Sequence, residues 1–255
     1  MTDPVLMHAR DDGIAIITIN RPEQRNCLSK EVREALFAAW DWFENDPAMR
    51  VAILTGAGDK SFCAGGDLKE MVETGMSVPA RDFIPLPYDN LELTKPTIAA
   101  VNGFAFAGGW ALAQNCDLCV ASTNAKFAIT EVKVGRGSPW AAPLIHMIPQ
   151  RIMMEIILTG KPITASRAYE IGLVNRLAEP AALMDAAIEL ALEVLEGAPL
   201  SVKAGRETVM LATEMGRAAA LMAGRAAHET TYNSEDAQEG PLAFSQKRKP
   251  EWKGR

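Results

Sequence analysis

The chain has 255 residues with 26 lysines and arginines against 32 aspartates and glutamates, which gives a formal net charge of −6. This acidic balance argues against a general binder of nucleic acid or of anionic membranes. Hydrophobic residues make up 48% and charged residues 23% of the chain, which is the composition of an ordinary soluble globular protein.

Membrane, secretory and metal-binding classes find little support in the sequence. No apolar run approaches the roughly 18 residues that a membrane-spanning helix needs, and the first residues lack the pattern of a secretory signal. Cys116 and Cys119 have C-x-x-C spacing, but neither a second pair nor a nearby histidine completes a zinc site. We therefore expect a cytoplasmic protein with buried, reduced thiols and no metal.

Strands and helices are predicted to alternate over the first 180 residues. Runs of β-branched and apolar residues predict strands, at 14–19, 51–55, 97–101, 118–121 and 174–177. Helical spacing or helix-start signals predict helices, at 29–46 with Ser29 as the N-cap, after Gly66, after Gly109, from Pro139, at 151–158 and at 166–171. Only helices follow, at 181–196, 200–215 and 217–231. The pattern predicts an α/β core over 1–195 and a helical region over 196–255.

The sequence twice builds an apolar strand, a turn of small residues and a helix start. Ala64-Gly65-Gly66 precedes one helix start, with Asp67 in its first turn, and Ala107-Gly108-Gly109 precedes another. Backbone N–H groups at a helix start have no partner within the helix and attract negative charge. We interpret the two turns as donors that hold a negatively charged oxygen. The alternative is that these glycines only permit close packing.

Two further segments are expected to complete the site. Residues 75–87 carry three prolines and no periodicity, which is typical of a mobile loop that could form one wall of a pocket. Residues 126–134 predict an extended or turn segment that carries Glu131.

The order of the motifs resembles the crotonase family, the enoyl-CoA hydratase/isomerase superfamily. The resemblance runs from about residue 5 to the end of the chain. It rests on Asn20-Arg21-Pro22 with Asn26, Ala64-Gly-Gly-Asp-Leu-Lys69, Lys95-Pro96, Asn102-Gly103, Ala107-Gly-Gly109, Cys116-Asp117, Phe127 with Glu131, Leu158-Thr-Gly160, Ala168, Gly172-Leu-Val174, Glu239-Gly240 and Lys247-Arg248. The segment 233–255 is also similar to carnitinyl-CoA dehydratases of the same family.

This resemblance implies a spiral of ββα units with a C-terminal helical trimerisation region, assembled as a homotrimer or a hexamer. It implies an acyl-CoA thioester substrate, with coenzyme A as part of the substrate and no separate cofactor. The implied catalytic groups are the N–H groups of Gly66 and Gly108, as an oxyanion hole, and the carboxyl of Glu131. Further substrate-binding residues are implied at Ala64, Asp67, Leu68, Lys69, Gly109, Ala111, Pro139, Trp140 and Lys247.

The chain departs from the family pattern at the second catalytic carboxyl. Family hydratases use two glutamates, and Ala111 occupies the position of the one that is missing here. Pro139 stands in a segment that is usually rich in glycine, and it has no N–H to offer to a water molecule. Trp110 and Trp140 add bulk nearby, and the sequence leaves open whether they line the pocket or pack in the core.

A single carboxyl favours proton shuttling between two carbons, and therefore an isomerase, slightly over a hydratase. The alternatives are an enoyl-CoA hydratase or a carnitinyl-CoA-type dehydratase, and a member that binds acyl-CoA without catalysis. A role in RNA binding ranks low, because the second half of the predicted helix 29–46 is acidic.

Overall fold

The computed structural model describes residues 3–255, which form two compact units. The first unit runs to Leu93 and continues over Thr97–Ala191; the second comprises Thr94–Pro96 and Leu192–Arg255. The predicted division into 1–195 and 196–255 stays a prediction, because compactness alone does not show that a segment folds independently.

The first unit contains all ten strands of the described chain. They are β1 (Val5–Ala9), β2 (Ile14–Ile19), β3 (Val51–Gly56), β4 (Ser61–Cys63), β5 (Thr97–Val101), β6 (Phe104–Phe106), β7 (Leu118–Ser122), β8 (Lys126–Ala128), β9 (Ile163–Thr164) and β10 (Arg176–Ala178). The helices of the described chain are α1 (Lys30–Asn45), α2 (Leu68–Glu73), α3 (Gly108–Gln114), α4 (Gln150–Thr159), α5 (Ala165–Glu170), α6 (Leu183–Leu195), α7 (Pro199–Glu214), α8 (Arg217–Ala227), α9 (Glu229–Tyr232) and α10 (Asp236–Ser245). Short 3-10 helices cover Pro22–Gln24, Glu131–Val134, Pro139–His146 and Pro180–Ala182.

The larger sheet has six strands in the order β1-β2-β3-β5-β7-β10. All its pairs are parallel except β1 with β2. Every residue of β3 and of β5 is buried, as expected for parallel strands that are covered on both faces. This explains why the sequences of β3 and β5 are continuous apolar runs.

The smaller sheet gives the first unit its repeating plan. Its order is β4-β6-β8-β9, and β4, β6 and β8 run parallel to one another. Three times in succession the chain forms a strand of the larger sheet, then a strand of the smaller sheet, and then a helical segment. The third helical segment is the 3-10 helix that begins at Glu131. These are three ββα units, the unit that the family resemblance implies.

Helix α1 follows the predicted helical spacing. It begins directly after Ser29 and buries Val32, Leu36, Ala39, Trp40 and Phe43 on one face. Trp40 and Phe43 pack edge to face, with ring centroids 6.2 Å apart. The Ser29 hydroxyl donates to the carboxylate of Glu31 rather than capping a backbone N–H of the helix.

Several predicted boundaries are wrong, and each has a local cause. The last strand of the larger sheet is 176–178 rather than 174–177, because Asn175 turns its side chain to the N–H of Cys119. The predicted helix 217–231 is broken at His228, whose Nδ1 lies 2.9 Å from the carbonyl oxygen of Gly224. Strands of two or three residues, such as β4, β6 and β9, are too short to show a periodicity.

The second unit is helical and includes an unpredicted helix, α10, which contains Gly240 and Pro241. The end of the chain folds back on α10. The Asp236 carboxylate accepts from the N–H groups of Lys253 and Gly254, at 2.7 and 2.9 Å. Among residues 3–255, no helix has the length and apolar character needed to cross a membrane.

Candidate active site

The three residues predicted to carry the chemistry lie at one edge of the smaller sheet. Cys63 of β4 pairs with Ala105 of β6, which in turn pairs with Phe127 of β8. Gly66 and Gly108 each stand three residues beyond this row, and Glu131 stands four residues beyond it. Because neighbouring parallel strands lie about 4.8 Å apart, the carboxyl ends of the strands bring the three residues together. Ligands of parallel sheets bind at such an edge.

The two glycine turns are in direct contact. Gly65 has a positive φ of 93°, and a Cβ there would lie 2.8 Å from Ala107 Cβ and 3.3 Å from Gly108 N. A Cβ on Gly109 would lie 2.0 Å from the carbonyl oxygen of Cys63. The glycines at 65 and 109 are therefore required for packing, and this packing is also what brings the two turns side by side.

The N–H groups of Gly66 and Gly108 are available to a ligand. Gly108 is the first residue of α3, so its N–H has no acceptor within the helix. Ala107 before it adopts φ 51° and ψ −122°, a sparsely populated conformation that sets the direction of the following peptide. Among residues 3–255, neither N–H has a hydrogen-bond acceptor.

Apolar side chains cover these two turns. A Cβ on Gly108 would meet the Cδ1 atoms of Ile84 and Leu28, at 2.8 and 3.0 Å, and a Cβ on Gly66 would meet the terminal methyl of Met71 at 2.3 Å. Ile84 belongs to the segment 75–87, which was predicted to form a wall of the site. An apolar surround strengthens the electrostatic effect of the N–H donors, because it lowers the local dielectric.

Glu131 has the properties of a proton-transfer group. Its carboxyl is largely buried, and this burial raises its pKa above the ordinary value, while the Trp140 indole works in the opposite direction. Trp140 Nε1 donates to Glu131 Oε1 at 3.1 Å. Oε2 is buried and has no hydrogen-bond partner among residues 3–255. A buried acceptor oxygen without a partner, at the same sheet edge as the two N–H donors, is a candidate for contact with a substrate.

The two tryptophans have different roles. Trp110 has no exposed surface and packs edge to face on Phe127, with ring centroids 5.7 Å apart, so it belongs to the core. Trp140 is half-buried, contacts Glu131 through its indole and accepts a hydrogen bond from the Gln114 side chain at its backbone oxygen. Ala111 is fully buried in the apolar core.

The other implied binding residues lie around the start of α2 and near the end of the chain. Asp67 is the N-cap of α2 rather than a residue of its first turn, and its carboxylate accepts from the N–H groups of Lys69 and Glu70. Ala64 is half-buried, whereas Leu68, Lys69 and Pro139 are exposed. Lys247 follows α10 in the second unit, where the neighbouring Arg248 pairs with Glu239 at 2.6 Å.

The sequence analysis missed several residues that shape this edge of the sheet. Arg136 donates to the carbonyl oxygen of Met76 at 2.9 Å, which ties the Glu131 segment to the residues that follow α2. Gln114 holds Trp140, and Leu28 lies against Gly108. None of these residues belongs to a motif, and only their three-dimensional contacts reveal them.

Comparison with known proteins shows which family the chain belongs to. The family profile described as "Enoyl-CoA hydratase/isomerase" matches residues 9–255. The chain is 39% identical to an (E)-benzylidenesuccinyl-CoA hydratase of Thauera aromatica over 246 residues, which cover 94% of this chain and 96% of the relative. It is 40% identical to a carnitinyl-CoA dehydratase of Escherichia coli K12 over an alignment of 256 positions, which covers 96% of this chain and 97% of the relative.

Solved structures agree with these relatives. An enoyl-CoA hydratase from Mycobacterium tuberculosis H37Rv superposes with a TM-score of 0.90 at 38% identity, and one from Mycobacterium marinum with 0.91 at 39%. Both comparisons cover 100% of both chains. The fold is thus a crotonase fold, as predicted. The chain belongs to the enoyl-CoA hydratase/isomerase family of enzymes.

Proposed function

We propose that this protein adds water to a 2-enoyl-CoA thioester, or removes it from the 3-hydroxyacyl-CoA, with Glu131 as its single proton-transfer group. The N–H groups of Gly66 and Gly108 would bind the thioester oxygen and stabilise the enolate that forms there. The observation that carries the proposal is the buried Oε2 of Glu131, which has no partner among residues 3–255 and belongs to a residue at the same sheet edge as the two N–H donors.

One carboxyl is sufficient for the proton balance of hydration. Glu131 takes a proton from water while the water oxygen bonds to the β carbon. The thioester then becomes an enolate, whose negative charge lies on the former carbonyl oxygen. The protonated Glu131 then returns the same proton to the α carbon. Dehydration is the reverse. Burial raises the pKa of Glu131, which makes its protonated form easier to reach and so suits the carboxyl to both steps.

The relatives support hydration over isomerisation. Two proteins of similar sequence are named a hydratase and a dehydratase, which favours the reaction that the sequence analysis ranked second. Isomerisation stays the second candidate because Ala111 supplies no group to orient a water molecule. In that case Glu131 would move a proton between the α and γ carbons.

The two reactions are separated by parallel assays. Hydration of a 2-enoyl-CoA and isomerisation of a 3-enoyl-CoA would be measured side by side with the wild type and with Glu131→Gln. We expect hydration in the wild type and a loss of about 10²- to 10⁴-fold in the variant. Glu155→Gln, at an exposed glutamate of α4, is the matched control and should keep full activity. Full activity of Glu131→Gln would refute the role of this carboxyl.

A member that binds acyl-CoA without catalysis is the remaining alternative. Tight binding of a CoA ester, without turnover of any acyl chain length in a broad panel, would establish it.

Lys247 is proposed to contact the phosphates of coenzyme A. Replacing it with alanine should then raise KM for the CoA ester and leave kcat unchanged.

Self-association and a cytoplasmic location are part of the same proposal. Within the second unit, several large apolar side chains are exposed, including Val209 at 65%, Met222 at 72% and Phe244 at 88%. Exposed apolar side chains favour a partner surface where they are contiguous. We propose that they serve a homotrimer or a hexamer, which light scattering after size exclusion would measure.

A further inference from the structure

The carboxyl of Glu131 is held at one oxygen and left open at the other. Trp140 Nε1 donates to Oε1 at 3.1 Å, while Oε2 is buried without a partner among residues 3–255. A free carboxylate exchanges its two oxygens by rotation about its last side-chain bond. A hydrogen bond to one of them removes that equivalence.

The backbone of Trp140 is itself held by the buried side chain of Gln114. Gln114 Nε2 donates to the backbone oxygen of Trp140 at 3.1 Å, and only 5% of Gln114 is exposed. The three residues therefore form a chain of two hydrogen bonds, from α3 through the 3-10 helix 139–146 to the start of the 3-10 helix 131–134.

We propose that Trp140 is the positioning residue of this active site, which makes Oε2 of Glu131 the oxygen that exchanges protons with the substrate. The proposal deepens the proposed function and rests on it. In a site with a single proton-transfer carboxyl, a fixed orientation matters more, because the same oxygen must accept the proton at one atom and deliver it at another. A preorganised acid–base group needs such support from a neighbour that does not itself react.

Charged neighbours do not explain the raised pKa of Glu131. The elements packed around it carry charged or titratable side chains, at Lys133, Arg136, His146, Arg151 and Glu155. None of these contributes to the raised pKa of Glu131, which follows from burial, offset by its own backbone N–H and by the Trp140 indole. Among residues 3–255, the indole is the one side chain that donates a hydrogen bond to this carboxyl.

The test replaces the indole N–H of Trp140 without changing the shape of the ring. Benzothienylalanine, in which sulfur replaces the N–H, would be incorporated at position 140, with Trp140→Phe as a second variant. We expect kcat for hydration to fall about 10- to 100-fold, the equivalent of a hydrogen bond to a charged group. KM should change by less than about twofold, since the residue does not bind the ground state.

A direct titration distinguishes positioning from general damage to the fold. The indole lowers the Glu131 pKa, so its removal should raise it and move the acidic limb of the kcat profile to higher pH. Carbon NMR of protein labelled at the glutamate carboxyl carbon would follow this group, with its signal assigned by its absence in Glu131→Gln. The same replacement at Trp110, whose Nε1 has no partner within residues 3–255, is the matched control and should leave the pH profile unchanged.

The outcomes separate the two proposals. An unchanged kcat and an unchanged Glu131 titration in the position-140 variant, with Glu131→Gln inactive, would overturn the role of Trp140 and leave the proposed function standing. Full activity of Glu131→Gln would overturn the proposed function and the positioning role with it. A lower kcat together with a higher Glu131 pKa would support both.

Discussion

A Cβ atom on Gly65 would lie 3.3 Å from the backbone nitrogen of Gly108, and it would lie closer still, at 2.8 Å, to Ala107 Cβ. The turns that follow β4 and β6 are therefore packed against each other through a residue with no side chain. The relative placement of the two N–H donors depends on this contact, and both stability and activity should respond when it is disturbed.

Gly65→Ala should destabilise the protein by about 2–5 kcal/mol. The positive φ of 93° costs an alanine about 1–2 kcal/mol, and the overlap with Ala107 adds about 1–3 kcal/mol of overpacking. Urea unfolding measures the change. Gly75→Ala is the matched control, because Gly75 has φ 60° and nothing within 4 Å of a new Cβ, so it should cost about 1 kcal/mol. Equal losses in the two variants would contradict the contact.

Gly66→Pro should lower kcat by about 10²- to 10³-fold, because it removes one N–H donor of the proposed oxyanion hole. Gly66→Ala keeps the N–H and only displaces the flexible end of Met71, so it should retain much more activity. Initial rates of hydration and thermal unfolding would be measured for both variants. If the two lose the same activity at similar stability, the N–H of Gly66 is not a donor to the substrate.

The sequence predicted the long elements better than the short elements and the supporting contacts. β3 and β5 were predictable because strands buried on both faces are continuous apolar runs, and α1 because five buried residues recur at helical spacing. Strand β6, with three residues, carries no periodic signal. Its position is fixed by pairing with β4 and β8, which local sequence does not encode.

The same limit applies within the site. Gly66, Gly108 and Glu131 stood out through their turns and through family motifs, and the sheet places all three at one edge. The sequence left the role of Trp140 open and gave no sign of Gln114, because the hydrogen bonds that join them to Glu131 connect residues 9 and 26 positions apart. The sequence does not distinguish Trp110 from Trp140. The structure does, because Trp110 is fully buried in the core whereas Trp140 is half-buried beside Glu131.

Glu131→Gln should stabilise the protein at neutral pH while it removes activity. Burial raises the pKa of the folded Glu131 carboxyl, so the folded protein holds this proton more tightly than the unfolded chain does. The resulting stability is fully present below the unfolded value of about 4.3 and is lost as the pH rises through the folded value. Urea unfolding from about pH 4 to pH 8 should show a growing advantage of the glutamine variant. A difference that is independent of pH would contradict this assignment.

Glu70→Gln should cost about 2 kcal/mol of stability, because it weakens the link between α1 and α2 just beyond the Gly66 turn. Glu70 accepts from both terminal nitrogens of Arg33, at 2.9 and 3.0 Å, and from the N–H of Lys30. The Arg33 side chain is only 11% exposed, so solvent screens this pair weakly.

The matched control for Glu70 is the exposed pair on the same helix. Lys30 and Glu34 lie 3.8 Å apart, with side chains 69% and 67% exposed, and exposed pairs contribute about 0–1 kcal/mol. The free energy of unfolding of Glu34→Gln, measured in urea, should therefore stay within about 0.5 kcal/mol of the wild-type value. Because Arg33 also lies 4.1 Å from the centre of the Phe83 ring, Glu70→Gln should also speed proteolysis within the segment 75–87. Equal stability of the two variants would show that the link adds nothing beyond a surface ion pair.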